Sequence, residues 1–137
     1  MVELMALGKL AYRRVVFRVV NVVLALLFMV AAALQYNDPD PLGWMAIYLA
    51  AAGCSFAALL RPKQLAAPVI VAAIALVWAA ILTPEALALG ELGRIAESMK
   101  ATRPGIEIMR EVLGLGIVAI WMAVLAWRAR RLITSAR

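Results

Sequence analysis

The sequence predicts an all-α protein, a four-helix transmembrane bundle with both termini on the same side (N-in/C-in). Three observations carry this. The chain is 66% hydrophobic and 16% charged, with a mean hydropathy of +0.95, whereas soluble domains run near ~45–50% apolar and ~25% charged. Four apolar runs, each about long enough to cross a bilayer, alternate with short polar turns. The charged residues are sorted between alternate turns, basic at one end and acidic at the other. With 137 residues, the chain is expected to form one integral membrane domain, residues 1–137.

Residues 1–14 form a polar-to-basic lead containing Lys9, Arg13 and Arg14. Val15 to Tyr36 is the first expected span (15–36), and as a helix it would rise roughly 33 Å, enough for the hydrocarbon core. Arg18 lies one turn inside and can snorkel back to the headgroups. The basic lead, the apolar run and Ala31-Ala32-Ala33 also resemble a secretory signal peptide, but the segment is expected to be retained as a true span.

Gln35-Tyr36-Asn37-Asp38-Pro39-Asp40-Pro41 then forms a short, stiff turn. Each Asp precedes a proline, which biases it toward extended backbone. Pro41 suits the first position of a second helix, and Asp40 its N-cap. Gln35, Asn37 and Asp38 have no such local task. Gly43 to Leu60 is the second span (43–60). Gly43, Ala46, Ala50, Gly53 and Ala57 recur along it at three- and four-residue steps, a small-residue stripe of the kind that lets another helix approach closely.

Arg61-Pro62-Lys63-Gln64 is a basic turn, and Leu65 to Leu82 the third span (65–82). Thr83-Pro84 reads as an N-cap followed by proline at the first helical position. In residues 85–100, Leu89, Leu92, Ile95, Ala96 and Met99 share one helical face while Glu85, Glu91, Arg94, Glu97, Ser98 and Lys100 occupy the rest, predicting an amphipathic helix between spans three and four that lies in the interface or packs over the bundle mouth. Pro104-Gly105 ends it. Ile106 to Trp127 is the fourth span (106–127), followed by Arg128, Arg130 and Arg131.

Lys9, Arg13, Arg14, Arg18, Arg61, Lys63, Arg128, Arg130, Arg131 and Arg137 fall at one end of this layout, and every acid except Glu3 falls at the other. The positive-inside rule makes the basic end cytoplasmic. The expected location is the bacterial inner (plasma) membrane, with the Asn-Asp-Pro-Asp-Pro turn facing outward.

The composition also excludes chemistry. Cys54 is the only cysteine, so there is no internal disulfide and no Cys-based metal site. With no histidine, neither haem nor a His- or Cys-ligated metal is expected from this chain alone, and Ser-His-Asp or Cys-His catalysis is ruled out. No phosphate-binding glycine loop and no nucleic-acid signature are present.

Glu107, Arg110, Glu111 and Gly114 are spaced i, i+3, i+4, i+7 and share a helix face at the same outer level as Gln35–Asp40. Isolated charges near lipid are costly, so these groups are expected to turn inward and pair. The preferred pair is a structural clamp between Asp38 and Arg110, since a guanidinium holds a carboxylate through two hydrogen bonds. The alternative is a ligand or cation site formed by Asn37, Asp38, Asp40, Glu107 and Glu111. Its donors Asp38, Asp40, Glu107 and Glu111 offer only oxygen, which suits calcium or magnesium, although Arg110 opposes a cation. Carboxylate pairs are also capable of acid–base chemistry, but no nucleophile or cofactor motif accompanies them, and no catalytic residue is assigned.

Other polar and small residues have plainer readings. Asn21, within the first span, is expected to hydrogen-bond across helices. Tyr36, Trp44, Tyr48 and Trp121 read as interface anchors or packing, and Tyr12 and Trp127 as members of an inner aromatic belt. Cys54 reads as a small apolar residue. Gly114 and Gly116 are expected to permit close helix contact.

The Gln35–Pro41 turn followed by Trp44 and Tyr48, together with Glu107, Arg110 and Glu111 followed by the 114–122 stretch, resembles the transmembrane protein 220 family of small four-span proteins. Asn37, Asp38, Pro39 and Asp40 match that family's proline-flanked turn, and Glu107, Arg110 and Glu111 its acid-x-x-Arg-Glu start to the last span. The resemblance implies the four-span layout and no particular activity. The 85–100 segment departs from it.

The leading functional expectation is a non-enzymatic accessory or scaffold subunit that contacts the lipid bilayer and other membrane subunits or further copies of itself, with no nucleic-acid partner. A cation- or small-ligand-binding protein is the alternative, and a membrane enzyme acting on a lipid-like substrate comes third.

Overall fold

In hydrocarbon every backbone N–H and C=O must find an internal partner, so apolar runs of this length fold as helices. The computed structural model describes residues 1–38, 40–88 and 104–136. It comprises α1 (Val2–Leu34), a 3-10 turn (Gln35–Asn37), α2 (Pro41–Leu60), α3 (Ala66–Ala88) and α4 (Pro104–Thr134). Among the described residues, four stretches are long and apolar enough to cross a membrane: Gly8–Asn37, Pro41–Leu60, Ala66–Ala88 and Glu107–Thr134. Four long apolar helices are what the predicted fold class requires.

The chain divides into two units, Met1–Gln64 and Leu65–Arg137. In the first, α1 packs along α2. Its core is Asn21, Ala25, Phe28 and Ala32 of α1, at steps of four, three and four, with Trp44, Ile47, Tyr48, Ala51, Ala52 and Ser55 of α2. Both sets recur at the spacing that lines one helix face. In the second, α3 packs along α4. Leu115, Val118, Met122, Leu125 and Ala129 form the buried stripe of α4, and Val71, Ala72 and Ala75 that of α3. The alanines are small enough for the two backbones to approach closely.

The helices run further than the expected spans. The lead before Val15 is helical from Val2, so α1 has 33 residues and rises about 50 Å, against about 30 Å of hydrocarbon. Helix α4 likewise continues past Trp127 to Thr134.

Thr83-Pro84 does not open a new helix. Both residues lie inside α3, which continues to Ala88. The Thr83 hydroxyl donates back to the Ala79 carbonyl at 2.7 Å, the i−4 bond available to a mid-helix Thr, so it caps nothing. Pro84 offers no N–H to the carbonyl four residues earlier, yet the apolar run on either side keeps the helix going. Residues 85–88 of the expected amphipathic helix therefore belong to α3, and its remaining residues lie outside the described ones. Pro104, expected to end that helix, is the first residue of α4.

Candidate functional site

The candidate polar residues fall into two groups, one on each unit. In the first, α1 ends at Leu34 and the chain tightens into the 3-10 turn, where the Asp38 N–H donates to the Gln35 carbonyl at 3.0 Å. Asp38 has φ −73° and ψ 155°, the extended backbone required before proline. Gln35 and Asp38 are half-buried, whereas Tyr36, Asn37 and Asp40 are exposed.

Pro41 takes the first position of α2 and Asp40 the N-cap position, but the Asp40 side chain makes no capping hydrogen bond. A capping carboxylate normally reaches the N2 or N3 N–H from β-region backbone. Asp40, with φ −121° and ψ 62°, lies outside that region. The expectation that Asp40 is consumed by capping is corrected, and its side chain is exposed.

The second group opens α4. Glu107 is exposed in the first turn, where a negative charge is favoured by the helix dipole. Arg110 and Glu111 are half-buried, and neither is free of partners. Glu111 stands one turn before Leu115 on the stripe that continues through Val118 and Met122. This carboxylate thus crowns the packed face of α4.

Among the described residues, no group of three or more His, Cys, Asp or Glu is placed to hold a metal ion. Cys54 is a free, half-buried thiol on α2. Trp44 and Tyr48 are buried packing residues, while Tyr12, Tyr36 and Trp127 are exposed as interfacial aromatics would be. An open apolar groove on α3 is lined by Ala73, Ile74, Val77, Trp78 and Ile81 and offers no polar chemistry.

Two features lay beyond sequence reasoning. The first is the acceptor for Asn21, whose side-chain amide donates to the Ser55 backbone carbonyl at 2.7 Å. The second is the Arg131 guanidinium over the Trp127 ring, 4.1 Å from its centroid. The i, i+4 spacing of that pair was the available signal.

The small-residue stripe of α2 lies away from the hairpin core. Gly43, Ala46, Ala50 and Gly53 are exposed and Ala57 half-buried. A Cβ placed on Gly53 would meet nothing within 4 Å. The same holds for Gly116 among the described residues, so within its own unit no neighbouring backbone comes near enough to require glycine there.

The profile described as "Transmembrane family 220, helix" matches residues 27–127. The chain belongs to transmembrane family 220. This transmembrane family 220 member is accordingly an integral membrane protein, and the match takes in both polar groups, the Gln35–Pro41 turn and Glu107–Glu111. The basic residues Lys9 to Arg18 and Arg128 to Arg131 lie outside it. No curated protein and no solved structure matches the chain.

Proposed function

We propose that this transmembrane family 220 protein is a non-enzymatic accessory or scaffold subunit of the bacterial inner membrane, with both termini cytoplasmic, that docks other transmembrane helices on the outer face of α2. The observation behind this reading is the exposed stripe of Gly43, Ala46, Ala50 and Gly53, opposite the face that packs against α1. In lipid, helices associate through close backbone approach rather than through hydrophobic burial, and small residues permit it.

Gly53 supplies a clean test. Because its Cβ position is open, Gly53→Leu is expected to fit within the hairpin, and unchanged helical content by circular dichroism separates a change in assembly from a folding defect. Extraction in mild detergent followed by size and mass analysis is expected to give an oligomer or a co-purifying subunit with wild type, and its loss with Gly53→Leu. A strict monomer with no companion in the wild type defeats the reading.

The second reading is a small-ligand or cation site using Asn37, Asp38, Asp40, Glu107 and Glu111, with Arg110 and Asp38 as a clamp. It is supported by half-buried Asp38, Arg110 and Glu111, each at the end of an apolar helix. Calorimetry with calcium, magnesium and manganese on wild type and Asp38→Asn separates site from clamp. Binding heat that Asp38→Asn abolishes supports a site; no heat in either protein leaves the clamp alone.

A further inference from the structure

The end of the first hairpin opposite the Asn-Asp-Pro-Asp-Pro turn concentrates positive charge. The Asn21–Ser55 hydrogen bond sets the register between α1 and α2. Because the helices are antiparallel, stepping six residues toward that end on each brings Arg61 level with Val15. The other end agrees, since the same register brings Pro41 level with Gln35, where the 3-10 turn begins.

Arg14 and Arg18 stand at steps of four and three before Asn21 and Ala25, so they prolong the α1 stripe that faces α2. Arg61 and Lys63 belong to the turn that closes α2 at this level, where the Arg61 N–H donates to the Ala57 carbonyl at 2.7 Å and the Gln64 N–H to the Arg61 carbonyl at 3.0 Å. All four side chains are exposed.

Within residues 1–64 the acids are Glu3, Asp38 and Asp40. Asp38 lies about 30 Å along the axis from Arg18. That separation exceeds the screening length of about 8 Å at physiological salt, so among the described side chains of this unit no carboxylate stands close enough to neutralise the cluster. The apolar run begins beside it: Leu60, 85% exposed, adjoins Arg61, and Val15 and Val16 adjoin Arg14.

We propose that Arg14, Arg18, Arg61 and Lys63 form a binding site for the phosphate headgroup of an anionic phospholipid, whose acyl chains run along the adjoining apolar surface. Two guanidinium groups on α1 and a third on the turn present forked donors matched to phosphate oxygens, and Lys63 adds a point charge. A cation cluster where a transmembrane hairpin meets the headgroup layer, with exposed aliphatic surface on the hydrocarbon side, complements both parts of such a lipid. The site needs neither the subunit-docking face of α2 nor a particular orientation in the membrane.

The test is native mass spectrometry of the full chain from mild detergent with equal phosphatidylglycerol and phosphatidylcholine. Wild type is expected to retain phosphatidylglycerol at least several-fold over phosphatidylcholine, with retention falling as salt rises. The variant R14Q/R18Q/R61Q/K63Q is expected to lose the preference, about fivefold for each charge removed, while R128Q/R130Q/R131Q keeps it. Equal retention of the two lipids, or an equal loss in both variants, overturns the proposal. So does displacement of phosphatidylglycerol by an equal concentration of inorganic phosphate, which would assign the site to a free anion. Should the quadruple variant fail to fold, salt-insensitive retention by wild type overturns it independently.

Discussion

The side-chain amide of Asn21 donates a 2.7 Å hydrogen bond to the backbone carbonyl of Ser55 across the α1–α2 interface, between two residues that are each 0% exposed. A fully buried polar amide is stable in that core only because it has a partner. Asn21→Ala is expected to destabilise the protein by about 1–2 kcal/mol, from a lost interhelical bond and a small cavity. Asn21→Asp should cost more, because the carboxyl must either stay ionised and oppose the carbonyl oxygen or take up a proton before it can donate. Ser55→Ala keeps the acceptor, which is backbone, and should leave this bond intact. Denaturation in micelles checks the order; equal midpoints for Asn21→Ala and wild type would mean the bond does not hold the hairpin.

That pair shows where sequence reading succeeds and where it stops. Asn21 is conspicuous because a polar residue interrupts an apolar run, but its acceptor is a backbone carbonyl, which every residue carries, so nothing about position 55 announces it. The turn after α1 was legible through its prolines: Pro41 opens α2 and Asp38 is extended before Pro39, both consequences of ring geometry. The capping bond expected of Asp40 needs extended backbone, and Asp40, at ψ 62°, departs from the extended bias that the following Pro41 imposes. The small-residue stripe of α2 was equally plain, but its direction was not, because alanines line the hairpin core at Ala51 and Ala52 as well as the outer face.

Thr83-Pro84 was also misread, because a helix in lipid tolerates an internal proline. Pro84→Ala supplies the missing N–H to the carbonyl four residues earlier and is expected to stabilise the last turns of α3. The gain should fall below the ~3 kcal/mol that proline costs an isolated helix, because helices in lipid compensate locally. Thr83→Val removes the hydroxyl bond to Ala79, whose carbonyl keeps its place in the helix ladder, so the effect should stay below about 1 kcal/mol. Hydrogen exchange along 80–88 reads both. Protection unchanged by Pro84→Ala would show that the proline imposes no local weakness.

For the proposed Asp38–Arg110 clamp, the discriminating experiment is a double-mutant cycle. Arg110→Ala alone is expected to cost about 3 kcal/mol, the lower end of what breaking a buried pair costs, because Arg110 is only half-buried. That value also includes whatever else Arg110 touches. The cycle of Asp38→Asn, Arg110→Gln and the two combined isolates the shared term, expected at about 1 kcal/mol or more for a direct pair. Additive thermal shifts would remove the clamp while leaving each residue a role in its own unit.

Orientation is open to direct chemical test because the chain has a single cysteine, half-buried Cys54. On a Cys54→Ala background, Asn37→Cys and Lys63→Cys place one thiol at each end of the first hairpin, at exposed positions. A membrane-impermeant maleimide is expected to label Asn37→Cys in intact spheroplasts and Lys63→Cys only after lysis. The physical basis is the cost of export: each cation moved outward against the potential costs about 2.3 kcal/mol per 100 mV, and Arg14, Arg18, Arg61 and Lys63 would move together. The acids of the opposite turn incur no such penalty in crossing. The opposite labelling pattern would require the basic ends of α1 and α2 to lie outside, and the assignment of cytoplasmic termini would fall with it.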